Sequence, residues 1–188
     1  MSDPAESVPP PGPSPSSGVP AVSFAEAIER SGQWIAAWES GELSDEVLAD
    51  RVGALVASRD GARGFFVVAL TGEAPLMDRL PEPLVIQLRA AGAGVVDLTA
   101  RNLAMSTAMA LAHGRLGDAE RQSASERVQS RSRELLRQLE PALVKERLET
   151  LLAAARDGEG EDRSFLDRWG YDPAQRADIA AAVESVVP

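Results

Sequence analysis

The chain carries 31 alanines among its 188 residues but only 8 aromatic side chains. Alanine is the best helix former and offers a sheet face little to pack, so this ratio directs the chain toward helices packed on helices. The length suits one domain and a tail rather than two full domains. Apolar residues recur at helical spacing along most of the sequence. Phe24, Ile28, Ile35 and Trp38, widened by Trp34, follow the capping box Ser23-Phe24-Ala25-Glu26 and run to Gly41. Ser44, with Asp45 and Glu46 in its first turn, opens a second helix through Val47, Leu48, Val52, Leu55 and Val56, stopped near Gly61.

The run Gly64-Phe65-Phe66-Val67-Val68-Ala69-Leu70 has the composition of a buried strand, yet no second run of β-branched and aromatic residues offers it a partner. A short buried helix is therefore expected there, with a short strand over 64–70 as the alternative. Pro75, Pro81 and Pro83 mark a surface connection, and Leu84, Val85, Leu88 and Ala91 form a short helix closed by Gly92 and Gly94. From Val95 to His113 a long helix carries Ala100, Ala104, Ala108 and Ala112 on one face, which lets another helix approach closely. Val128, Leu135 and Leu139 define the next, and Pro141 starts or kinks one bearing Val144, Leu148, Leu151, Leu152 and Ala155. Residues 158–162, Gly-Glu-Gly-Glu-Asp, read as an exposed acidic linker, and Asp172-Pro173 starts a last helix with Ile179, Ala182, Val183 and Val186. The expected fold is all-α, an irregular bundle of seven or eight helices forming a single domain over 23–187.

Residues 1–22 hold Pro4, Pro9, Pro10, Pro11, Pro13, Pro15 and Pro20 and no large apolar cluster. Such a segment cannot bury enough surface to offset its ordering entropy, so a disordered, proline-rich tail is expected. Pro10 and Pro13 match a minimal PxxP pattern, which in so proline-rich a stretch is a chance match. The tail has neither the basic start nor the apolar core of a secretory signal. No window is long and apolar enough to span a membrane, because the most apolar stretch, 95–112, carries Asp97, Arg101 and Asn102. A soluble, cytoplasmic protein is expected.

The sequence holds no cysteine and one histidine, so disulfides, Cys-ligated zinc, Cys nucleophiles and His-rich metal sites are excluded. Walker, GxSxG and SxxK patterns are missing as well, and Gly92-Ala93-Gly94 lacks the third glycine of a dinucleotide fingerprint. No catalytic residue, cofactor or metal site is therefore assigned. Met105, Met109 and His113 share a helix face at i, i+4, i+8; thioether and imidazole suit copper(I), but methionines on such a face read first as core filling. The net charge of −10 repels phosphate backbones, which disfavours nucleic acid as a partner.

Ser58-Arg59-Asp60-Gly61-Ala62-Arg63-Gly64-Phe65-Phe66, Asn102-Leu103-Ala104-Met105-Ser106-Thr107-Ala108-Met109 and Phe165-Leu166-Asp167-Arg168-Trp169-Gly170-Tyr171-Asp172 together resemble a set of small soluble cyanobacterial proteins of unassigned function. The likeness spans residues 22–187. It implies a photosynthetic bacterial host, an intracellular setting and a protein partner particular to that cell type; it carries over no activity, cofactor or site residue.

Two groups of residues remain as candidates. Arg127 with Arg131, and Arg133 with Arg137, are like-charge i, i+4 pairs in an otherwise acidic chain, a repulsion that an acidic partner would relieve. Trp169 beside Arg168 has the make-up of an interface anchor. Arg127, Arg131, Arg168 and Trp169 are thus the candidates for binding a protein, and the favoured function is a non-enzymatic helical interaction protein: a regulatory, adaptor or assembly factor. The alternative is a small helical enzyme or anionic-ligand-binding regulator with a pocket of Asp60, Arg63, Arg101 and Asn102, polar residues beside strongly apolar segments. Otherwise those four residues form a structural Asp–Arg network.

Overall fold

A computed structural model describes residues 22–186, so the proline-rich segment through residue 21 and its PxxP pattern lie outside the described residues. Those residues form nine α-helices, one 3-10 turn and no strand: α1 Phe24–Glu39, α2 Asp45–Val56, α3 Arg59–Thr71, the 3-10 turn Pro75–Met77, α4 Glu82–Ala90, α5 Ala93–Arg115, α6 Ala119–Gln138, α7 Pro141–Asp157, α8 Arg163–Arg168 and α9 Pro173–Glu184. The chain is all-α, as its composition predicts. The ninth helix is α8, whose six residues are too few to show a period in the sequence. Val22, grouped with the tail by its neighbours, already packs against the core.

The strand alternative over 64–70 is not borne out, because these residues lie inside α3. Ser58 caps that helix by accepting from the Gly61 N–H at 3.0 Å, so Gly61 belongs to its first turn and does not stop the helix before it. α1, α2, α5 and α6 all pack against α3. Phe65, Phe66, Ala69 and Leu70 are buried, which is why the run looks continuously apolar. Gly64 sits where α1 crosses; a Cβ there would stand 2.5 Å from the Ala27 Cβ. Sequence-local caps hold elsewhere too. Ser23 and Ser44 cap α1 and α2, and Asp172 forms a full capping box with Gln175 on α9.

The long helix α5 is the axis of the molecule, packed by α6, α9, α7 and α3. Its Ala100, Ala104 and Ala108 are fully buried, and its buried Thr99 and Thr107 hydroxyls bond carbonyls four residues back, so small and self-satisfied side chains let the neighbours come close. Gly92, at φ +70° and ψ −144°, makes the turn into α5 in a conformation that an L side chain rarely adopts. α5 and α6 are joined by residues 116–118 and run antiparallel: His113 meets Ser125, and Thr107 meets Gln129. Grooves flank this pair on both sides.

Candidate functional site

On one side of α5, Arg63, Arg101 and Asn102 line a single groove of about 520 Å³, with Arg59, Leu98 and Met105. Three of the four residues of the expected polar pocket are thus brought together. The fourth, Asp60, is not among the lining residues; it pairs with Arg63 at 3.2 Å on the exposed start of α3. The Arg63 guanidinium also lies over the Phe24 ring, 4.8 Å from its centroid. A second groove, of about 310 Å³, continues along α5 and is lined by Met109, His113, Arg121 and Val128; Asn102 and Met105 belong to both. The two adjoin along a half-buried face of α5 and make a trough there. Met105 packs against the core as expected of a methionine on an apolar face, but Met109 is 40% exposed, so only the first acts as core filling. His113 meets Ser125 Oγ through Nδ1 at 3.2 Å.

Arg101 is held by its own chain. Its Nε donates to both oxygens of Asp97 at 3.1 Å, its Nη2 lies 3.5 Å from Asp162, and its guanidinium stacks on Phe165. Arg147 joins them: Nε donates to Asp97 at 2.7 Å and Nη2 to Asp162 at 3.0 Å. Burial by itself would raise the Asp97 carboxyl, but the hydrogen bonds from Arg147 and Arg101 outweigh it and hold its pKa below the ordinary carboxylate value. For Arg147 burial acts to lower the pKa, and the bonds to Asp162 and Asp97 raise it further than burial lowers it. Asp162 is 2% exposed, which corrects the reading of 158–162 as an exposed linker along its whole length. This balanced pair of arginines and aspartates clips the α7–α8 connection to α5. Acidic composition pointed outward; a carboxylate with two arginine partners can be buried, and those partners lie in other helices.

One arginine of α6 also turns inward. Arg131, expected at a partner surface, is 3% exposed. It meets Asp78 in a bidentate pair, Nε at 2.8 Å and Nη2 at 2.7 Å, while Nη1 donates to the carbonyls of Leu70 at 3.0 Å and Gly72 at 2.7 Å. The side chain thus supplies a cation to the carbonyl end of α3, which has no basic residue in its own last turn. Arg127 pairs with Glu73 beside it. Both arginines fasten the α3–α4 connection, Arg131 from a buried position and Arg127 from a partly exposed one. Arg137 donates to the carbonyl of Ser185 at 2.6 Å and so fastens the end of α9. Arg168 is exposed and Trp169 is 52% exposed, so that pair does stand at the surface.

The described residues define an all-helical protein built around one long axial helix, with an arginine- and methionine-lined trough along it. Residues 23–186 match the family described as uncharacterised conserved protein UCP020893, and the chain belongs to that family. No curated protein and no solved structure matches it. None of the described helices is long and apolar enough to cross a membrane.

Proposed function

We propose that this chain is a non-enzymatic interaction protein, a regulatory, adaptor or assembly factor, that docks an acidic amphipathic helix of a partner protein in the trough along α5. The observation that carries this reading is the union of the two grooves at Asn102 and Met105. From Gly94 to His113 the trough follows α5 for about 28 Å, the length of a guest helix of roughly 19 residues at 1.5 Å per residue. Its floor holds Leu98, Met105, Met109 and Val128, and methionine adapts its shape to a guest side chain. Four arginines line it: Arg63, Arg101 and Arg121 pair with Asp60, with Asp97 and Asp162, and with Asp118 respectively, and Arg59 makes no ion pair among the described residues. In a chain of net charge −10 this is a concentration of guanidinium groups, whose remaining N–H donors can bond carboxylates on a guest helix and set its direction. The same net charge disfavours nucleic acid as the partner. Arg168 and Trp169 offer a smaller, separate contact. The host we propose is a photosynthetic bacterium and the compartment its cytoplasm, as the resemblance to small soluble cyanobacterial proteins implies.

A photo-cross-linking residue placed at Met109 in the cell, with a control at the exposed Ile86 of α4, tests this. The expected result is a partner peptide captured from position 109 and not from 86, mapping to an acidic amphipathic helix, with capture reduced at least tenfold by Arg63→Glu, as the loss and reversal of a charged contact requires. Capture of a segment without that character, or equal capture from both positions, would overturn the reading.

A further inference from the structure

On the other side of the α5–α6 pair, where α9 lies alongside, a groove of about 630 Å³ holds an arginine that the fold does not satisfy. Arg133 is half-buried, its Nε is buried without a hydrogen-bond partner, and among the described residues it makes no ion pair. The other arginines without a carboxylate partner, Arg51, Arg59, Arg79, Arg89 and Arg168, are all exposed to water. A guanidinium nitrogen withdrawn from water without an acceptor is costly, and the terminal nitrogens of Arg133, which are not buried, make no hydrogen bond among the described residues and are open to an acceptor. The groove contains two carboxylates, Glu126 and Asp178, yet neither bonds Arg133. Glu126 accepts from Gln122 at 2.8 Å, and Arg115 on the same wall is already held by Asp172. A cation without an ion pair and the carboxylate of Asp178, which makes no hydrogen bond among the described residues and reaches Arg115 only through its charge, thus share one concave surface of the size that small-molecule sites have.

We propose that this groove binds a small zwitterion, from amino-acid to dipeptide size, with its carboxylate on the Arg133 guanidinium and its ammonium group on Asp178. A carboxylate matches the flat fork of a guanidinium. A phosphate or another multiply charged anion would face Glu126 and Asp178 as well as Arg133 and Arg115, a lining that offers it no net positive charge. The site is independent of the trough, since the two groove linings have no residue in common.

The experiment is a thermal-shift and calorimetric titration of the full chain with the twenty common amino acids and a set of dipeptides, alongside acetate and inorganic phosphate at matched ionic strength. A subset of the zwitterions should raise Tm with concentration, as a ligand of the native state must, while acetate and phosphate do not. Arg133→Leu should abolish that shift and raise the Tm of the ligand-free protein by a few degrees, because it removes the unmatched guanidinium. Asp178→Asn, at an exposed position, should weaken binding about tenfold by removing a charged hydrogen-bond acceptor. The proposal is overturned if no zwitterion binds, if phosphate alone binds, if Arg133→Leu lowers the ligand-free Tm, or if Asp178→Asn leaves the affinity unchanged.

Discussion

Arg131 and Arg127 stand one turn apart on α6 and have very different energetic roles. Arg131 is enclosed, with Asp78 on one edge of its guanidinium and the carbonyls at the end of α3 on the other, so its removal leaves several polar groups without a donor. Arg131→Ala should therefore cost about 3–5 kcal/mol, the loss typical of breaking a buried pair from one side. Arg127 is 35% exposed and its partner Glu73 88%, so Arg127→Ala should cost no more than about 1 kcal/mol. Urea unfolding of the two variants checks both values; equal losses would contradict the buried clamp. Part of this was legible in the sequence. Val128 and Leu135 flank Arg131 at i−3 and i+4, which places it on the apolar stripe of its helix, where a charge must find a partner. Nothing local names that partner, because Asp78 is 53 residues away.

The crossing of α1 over α3 depends on a missing side chain. Alanine in place of a glycine inside a helix ordinarily adds up to about 1 kcal/mol of helix propensity. At Gly64 the added methyl would lie 2.5 Å from the Ala27 Cβ and 2.9 Å from the Ile28 backbone nitrogen, so the two helices must separate. Gly64→Ala is expected to be net destabilising by about 1–3 kcal/mol, the range for overpacking, with a lowered urea midpoint as the measurement. A stabilised variant would show that the crossing has slack. The ends of α1, α2 and α9 were readable from Ser23, Ser44 and Asp172-Pro173, since capping is a contact between residues two or three apart. The apolar run of α3 was ambiguous for the opposite reason. An element covered on several sides loses its period, and only its neighbours reveal whether it is helix or strand.

Over the whole molecule, ion pairs hold the connections between helices. Asp78 ties down the segment after α3, Asp97 belongs to the clip on the α7–α8 connection, and Asp167 and Asp172 secure α8 and the start of α9 through Arg176 and Arg115. Hydrogen bonds from Arg131, Arg176 and Arg115 lower the pKa of Asp78, Asp167 and Asp172 respectively, and Asp97 is lowered against the effect of its burial. A carboxyl depressed in the folded state stabilises the fold fully above its unfolded pKa of about 3.9, and the contribution is lost as pH falls through the folded value. Stability should thus be nearly flat from pH 7 to about 5 on account of these groups and decline steadily below about pH 4. Urea midpoints measured across that range check the sign; a midpoint that rises between pH 4 and pH 3 would contradict it. The sequence by itself determined the all-helical class, the main helices and several of their caps, because those depend on spacings of two to seven residues within one element. Tertiary structure alone decided which side chains are buried and which remain open: Asp162 and Arg131 inside, Arg63 and Met109 in the trough, Arg133 without an ion pair in its groove. Burial and pairing are properties of residues that meet across helices, often 50 or more positions apart, and no local period encodes such a meeting.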